Sequence, residues 1–122
     1  MSSPIIYTSY FAKLKHVLNP ISISRFTPAW YEGPVYKQLA PTTQLLMDYK
    51  AGLVSIEQYT ERYNTEILSQ LTQPSVFSDL FKFYPLYNTI TLLCYEKSSD
   101  FCHRHLVSKW LNSYGFTSYE FK

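Results

Sequence analysis

The sequence predicts an α/β domain in which a short, mainly parallel sheet is flanked by helices in three layers. Strand-like runs of β-branched and aromatic residues alternate along the chain with segments of helical period, which is the pattern of a sheet fed by crossover helices. One run, Thr89 to Tyr95, lacks clean polar alternation and suits a central strand covered on both faces. The 122 residues, 46% hydrophobic and 16% charged, suffice for one core and no more, so a single domain over residues 1–122 is expected.

Ile5 to Phe11 reads as the first strand and Ile21 to Ser24, after Pro20, as the second, with Ala12 to Asn19 a short connection or helical turn. Phe26 to Pro41 holds Pro28, Pro34, Pro41 and Gly33 around Trp30, Tyr31 and Tyr36, and is expected to be an ordered loop. Thr42 or Thr43 caps a helix to about Lys50, with Gly52 available to end it. Ser55 and Gln58 have capping-box spacing, and Tyr59, Tyr63, Ile67 and Leu71 recur every four residues, so a second helix is predicted to run until Pro74 stops it. Ser75 is then expected to cap a third helix, to about Phe83, with Val76, Phe77, Leu80 and Phe81 inward. After the Thr89 strand, Ser99 or Asp100 is expected to cap a helix carrying Leu106, Val107, Trp110, Leu111 and Tyr114, which ends at Gly115. Phe116 to Lys122 is expected to form a short edge strand.

No apolar run approaches the about 18–20 residues of a membrane span, and the N terminus lacks the layout of a secretory signal, so a cytoplasmic protein without a membrane partner is expected. Two cysteines are too few for a secreted disulfide scaffold, and a lasting bond between them would be unusual in a reducing compartment. Net charge is +3 over residues 1–39, −2 over 40–82 and +1 over 83–122, which directs an anionic partner to the two ends of the chain. The twelve tyrosines and eight phenylalanines suggest either base-stacking platforms or, more simply, core.

In open α/β sheets ligands bind beyond the carboxyl ends of the strands, and here those ends are polar. The first strand closes on Ser9 and Tyr10, the second runs into Arg25, and the third delivers Cys94, Tyr95 and Glu96. The following helix opens with Cys102, His103 and Arg104 in its first turn, where backbone N–H groups attract anions and favour a thiolate. Cys102, Glu96 and His103 are the candidate catalytic residues, while Arg25, Arg104, Cys94, Tyr10 and Ser9 are the candidate ligand contacts. Cys94 reads equally as a small core residue, and His105 as part of a solvated turn.

A zinc site would take Cys94, Cys102 and His103, with His105 as an optional fourth ligand, but no CxxC pair is present and adjacent ligands in one helical turn rarely close a tetrahedron. No metal and no cofactor are therefore expected. The three glycines, Gly33, Gly52 and Gly115, exclude a Gly-rich phosphate loop.

Residues 92–111 read Leu-Leu-Cys-Tyr-Glu-Lys, a short spacer, Cys-His-Arg and then an apolar helix with Trp110-Leu111. With Tyr7-Thr-Ser-Tyr-Phe, Ile21-Ser-Ile-Ser-Arg25, Trp30-Tyr31-x-Gly33, Tyr36-Lys37-x-Leu39-Ala40-Pro41 and Tyr59-x-x-Arg62-Tyr63, this resembles the domain-of-unknown-function 488 family of bacteria, archaea and phages. The resemblance implies a small α/β fold and a shared site at Arg25, Cys94, Glu96, Cys102, His103 and Arg104, but no particular reaction. The spacer Ser98-Ser99-Asp100-Phe101 is less charged than is usual in the family, and His105 is additional.

Three functions are compatible with these residues. One is an enzyme or binding domain for a phosphate-bearing ligand, a nucleotide or nucleic acid, held by Arg25 and the Cys102 helix end. Another is a non-catalytic protein, for example a phage factor, that docks on a host protein through exposed aromatics around Trp30, Tyr31 and Tyr36. The third is a redox or metal site at Cys94 and Cys102.

Overall fold

In the computed structural model, which describes residues 3–96 and 101–122, four strands form one sheet in the order β2-β3-β1-β4. The strands are β1 (Ile5–Tyr10), β2 (Pro20–Ser22), β3 (Thr89–Cys94) and β4 (Thr117–Glu120), and every pairing is parallel. The predicted α/β class is therefore observed, with β3 interior as expected and β4 at an edge. β1 is interior as well, paired from Ile5↔Thr89 to Tyr10↔Cys94 on one side and from Ile5↔Thr117 to Thr8↔Glu120 on the other.

The helices are α1 (Thr43–Lys50), α2 (Ile56–Glu66), α3 (Gln73–Phe81) and α4 (His103–Tyr114). Their buried side chains, Leu45, Tyr59, Tyr63, Val76, Leu80, Val107 and Leu111, all join one core with Ile6, Ile21, Ile90 and Leu92 of the sheet. The opposite face is thin: Phe11 of a 3₁₀ helix, Phe11–His16, and Tyr31 of the loop after β2 pack against Leu93. The three layers are thus unequal, and connection handedness explains why. With right-handed crossovers, the helices of the two connections that advance across the sheet toward β4 lie on one face, and the connection from β1 back to β2 lies on the other. That returning segment is too short to hold an α-helix.

Local signals set most element ends. Thr42 caps α1 by accepting the Leu45 N–H at 3.1 Å, and Ser55 and Gln58 form the expected reciprocal box at α2. Gly115 closes α4 in the left-handed region at φ 106°, a conformation without steric cost only for glycine. The sequence reading fails at α2 and α3. The α2 helix ends at Glu66 and is followed by a separate 3₁₀ turn, Leu68–Gln70, and the cap of α3 is Thr72 rather than Ser75. Pro74 sits inside the first turn of α3, where its missing N–H has no partner to lose, so it starts a helix instead of stopping one. The expected Ser99 or Asp100 cap lies outside the described residues; α4 begins at His103 with Cys102 as its N-cap.

The aromatic loop needs a correction. Trp30 is exposed, but Tyr31 and Tyr36 are buried, with hydroxyls donating to the Pro34 carbonyl and to Asp79 at 2.7 Å each. A β-carbon at Gly33 would collide with the Tyr31 ring, so that glycine is required for the loop to close over it. These two tyrosines hold the fold together and offer no docking surface. No helix among the described residues is long and apolar enough to cross a membrane.

Tyr63 shows how the helical face is locked: fully buried, it donates to the Leu39 carbonyl at 2.5 Å, and burial raises its phenol well above the ordinary range. Tyr63→Phe leaves that carbonyl unsatisfied and is expected to cost about 1–3 kcal/mol in urea denaturation; an unchanged midpoint would refute this role.

Candidate functional site

The crossovers leave β1 and β3 toward opposite faces, which makes the gap between their carboxyl ends the switch point of the sheet. Tyr10 and Cys94 are register partners at that gap. Next to it lies a cavity of about 160 Å³. Ser24, Arg25 and Phe26 line it after β2, Tyr95 and Glu96 after β3, and Cys102 and His103 at the start of α4; Tyr49, Lys50 and Tyr59 close it from α1 and α2.

Of the eight candidate residues, Arg25, Glu96, Cys102 and His103 line this cavity. The Arg25 Nε–H donates to the Pro41 carbonyl at 2.9 Å, which fixes the plane of the guanidinium. Cys94 is buried behind Cys102, and the two sulfurs are bonded to each other. This departs from the expectation of free thiols, and the geometry that permits it is local. Cys102 is not inside the helical turn but is its extended N-cap, at φ −153° and ψ 147°, so its side chain reaches back over the end of β3.

His103 is buried and held at both nitrogens. Nε2 lies 2.7 Å from the Ile23 carbonyl oxygen, and because a carbonyl can only accept, Nε2 carries the proton. In the neutral ring Nδ1 is then a bare lone pair, 3.6 Å from the Cys102 sulfur. Burial pushes the imidazole down to about 4, helped by the charges of Arg104 and His105 and opposed by the Ile23 bond, so His103 is neutral at pH 7.

Arg104, Tyr10 and Ser9 stand apart from the cavity. Arg104 is fully buried and grips Glu120 in a fork, Nε to Oε1 and Nη2 to Oε2 at 3.1 Å each, while Nη1 donates to the Cys94 sulfur at 3.1 Å. Thr8 donates to Glu120 Oε1 at 2.7 Å, and the Tyr10 ring centroid lies 5.8 Å from the guanidinium carbon. Burial works to raise the Glu120 carboxyl, but hydrogen bonds from Arg104 and Thr8 and the charges of Arg104 and His105 prevail and hold it below its ordinary value. Ser9 is buried, and its Oγ finds no partner among the described residues. The sequence reading missed Glu120, an acid in an otherwise neutral edge strand, and assigned Tyr59 to the core alone although it also walls the cavity.

The Cys94 and Cys102 sulfurs and a ring nitrogen of His103 all lie within 4.8 Å of one another. The arrangement thus combines a soft donor cluster, an adjoining aromatic cavity and two cations, Arg25 and Lys50, at its wall.

A family model described as the active DUF488-N3 subclade matches residues 14–115, which takes in β2, β3 and the whole of this cavity lining. No curated protein and no solved structure matches the chain.

Two outcomes follow from the buried charges. From about pH 6.5 down to about 4 the unfolded chain takes up a proton that folded His103 refuses, so stability falls as pH drops through that window, by up to about 3 kcal/mol. Urea titrations at pH 7.5 and 5 should show the loss, and His103→Gln should flatten it. Glu120→Gln strands the buried Arg104 charge and should cost about 3–5 kcal/mol, whereas Arg104→Met with Glu120→Leu should recover most of that; equal stability of the single and double variants would contradict this.

Proposed function

This chain belongs to the DUF488 family, and on that premise we propose that it binds and acts on a phosphate-bearing planar ligand, a nucleotide or a base of a nucleic acid, in the cavity beside Cys102. The observation that carries the reading is the cavity lining: Tyr49, Tyr59, Tyr95 and Phe101 around a space of about 160 Å³, with Arg25 and Lys50 at its wall. A dry cavity of about 150 Å³ takes one benzene ring, so this one has the capacity for a single planar ring. Aromatic walls supply stacking that every nucleobase accepts.

Arg25 is suited to hold the phosphate. Its Nε is committed to Pro41, and among the described residues its two terminal nitrogens have no protein partner, which leaves a planar pair of donors for an anion. Glu96 and neutral His103 supply acid–base groups at the wall, and Cys102 supplies sulfur once its bond to Cys94 is reduced. Arg104 takes a supporting role here, because Glu120 and Cys94 occupy its donors.

Calorimetric titration of nucleoside monophosphates and short oligonucleotides tests this at two salt concentrations. Arg25→Lys keeps the charge but loses the planar pair, and should weaken binding by about 1–3 kcal/mol while the unfolding midpoint moves by no more than the about 1 kcal/mol of its Pro41 bond. Absence of binding by the wild type to every nucleotide and oligonucleotide would sink the reading.

A further inference from the structure

We infer that in its dithiol state the chain binds one zinc ion through Cys94, Cys102 and Nδ1 of His103, with the fourth coordination position facing the aromatic cavity. This goes beyond the ligand site proposed above: it specifies what stands against the wall of that site, and it can hold or fail independently of whether a nucleotide binds.

The first support is donor chemistry. The three donor atoms fall within 4.8 Å of one another, and the residues are 1%, 3% and 6% exposed, so the cluster is shielded from bulk water. Two sulfurs and an imidazole nitrogen are donors that suit zinc and disfavour magnesium and calcium.

The second is orientation. Two adjacent residues make poor ligands when both belong to one helical turn, but Cys102 is extended and only His103 is helical, so their side chains converge on one point from different backbone geometries. The His103 ring is already fixed in the ligating tautomer, because Nε2–H donates to the Ile23 carbonyl and Nδ1 points its lone pair toward the Cys102 sulfur. A backbone carbonyl behind a ligating histidine is the usual way such rings are oriented. Arg104 Nη1 plays the corresponding part behind Cys94.

The third is charge. The buried Arg104 and Glu120 cancel each other. Reduced and deprotonated, Cys94 and Cys102 would bring two negative charges into a buried place, and a divalent cation cancels both. Cys102 and His103 line the cavity and Cys94 does not, so the side of the cluster left for a fourth ligand, a water or a ligand atom, is the cavity side.

An external phosphine or dithiol delivers two electrons to the Cys94–Cys102 bond, with two protons taken up, and is itself oxidised. Zinc then displaces the two thiol protons and forms two zinc–sulfur bonds. The oxidised chain has no thiolates to offer, so metal binding is gated by the redox state of this pair.

The test uses the full chain, reduced with a phosphine under anaerobic conditions and titrated with cobalt(II) as a spectroscopic probe and then with zinc. Expected are a sulfur-to-cobalt charge-transfer band with the strong visible bands of a tetrahedral ion, saturation at one metal per chain, displacement by zinc and release of two protons. Cys94→Ser and His103→Gln should each weaken cobalt binding by more than the about 10–100-fold that a change behind a ligand costs. Arg25→Lys should bind cobalt as the wild type does. Zinc should also protect both thiols of the unmodified chain from alkylation, a readout that needs no variant to fold. Absence of the charge-transfer band, alkylation unaffected by zinc, full binding by folded Cys94→Ser, or equal binding by the oxidised chain would each overturn the inference.

Discussion

The ion pair between Arg104 and Glu120 is the constraint on which the rest of the molecule depends. A guanidinium with no solvent exposure is tolerable only if every donor is satisfied, and the partners come from three strands: Glu120 on β4, Cys94 on β3, and the Tyr10 ring on β1. Thr8 completes the carboxylate and is also the register partner of Glu120 in the β1–β4 pairing. A slip of one residue in that pairing would turn Glu120 to the other face and strand the charge. The pair therefore specifies register, and with it the position of the first turn of α4 over the sheet.

That turn is where chemistry can occur. Anchoring Arg104 sets the preceding two residues over the end of β3, and the bond from His103 to the Ile23 carbonyl ties them to the segment after β2 as well. The cavity wall is thus fixed from both sides of β3. Two of its aromatic walls, Tyr49 and Tyr59, come from α1 and α2, which join the same core through Leu45, Tyr59 and Tyr63. The cavity, the buried donors and their rigid support arise from one packing arrangement.

Much of this was legible in the sequence because it is written locally. The capping box at Ser55 and Gln58, the glycine after Tyr114 and the apolar run ending at Cys94 are signals read within a few residues, and each marks what the structure shows. Pro74 and the α3 cap, expected at Ser75, escape a local reading because proline carries opposite meanings at the first turn and the end of a helix, and only the chain's direction at that point decides between them. The convergence of Arg25, Glu96, Cys102 and His103 followed from the rule about strand ends. The burial of Arg104 did not, because its partner is an acid sixteen residues further on, and the pairing exists only once β4 has docked beside β1. Tyr31 and Tyr36 likewise looked available until the loop was seen to fold over them.

The strand order has a consequence for how the chain is made. β1 leaves the ribosome first, yet its two neighbours are β3 and β4, and Thr8 meets an acid 112 residues later in the chain. Neither side of β1 can be satisfied while the intervening helices are being synthesised, and β2 pairs only with β3. The early strands must therefore wait as open edges, with the closure of a long loop still ahead of them. During synthesis α1 to α3 can form turns, but the sheet they will cover does not yet exist. The nascent chain is most exposed to wrong pairing in that interval, which begins to close when β3 emerges and pairs with both β1 and β2, and ends for β1 only when β4 follows α4.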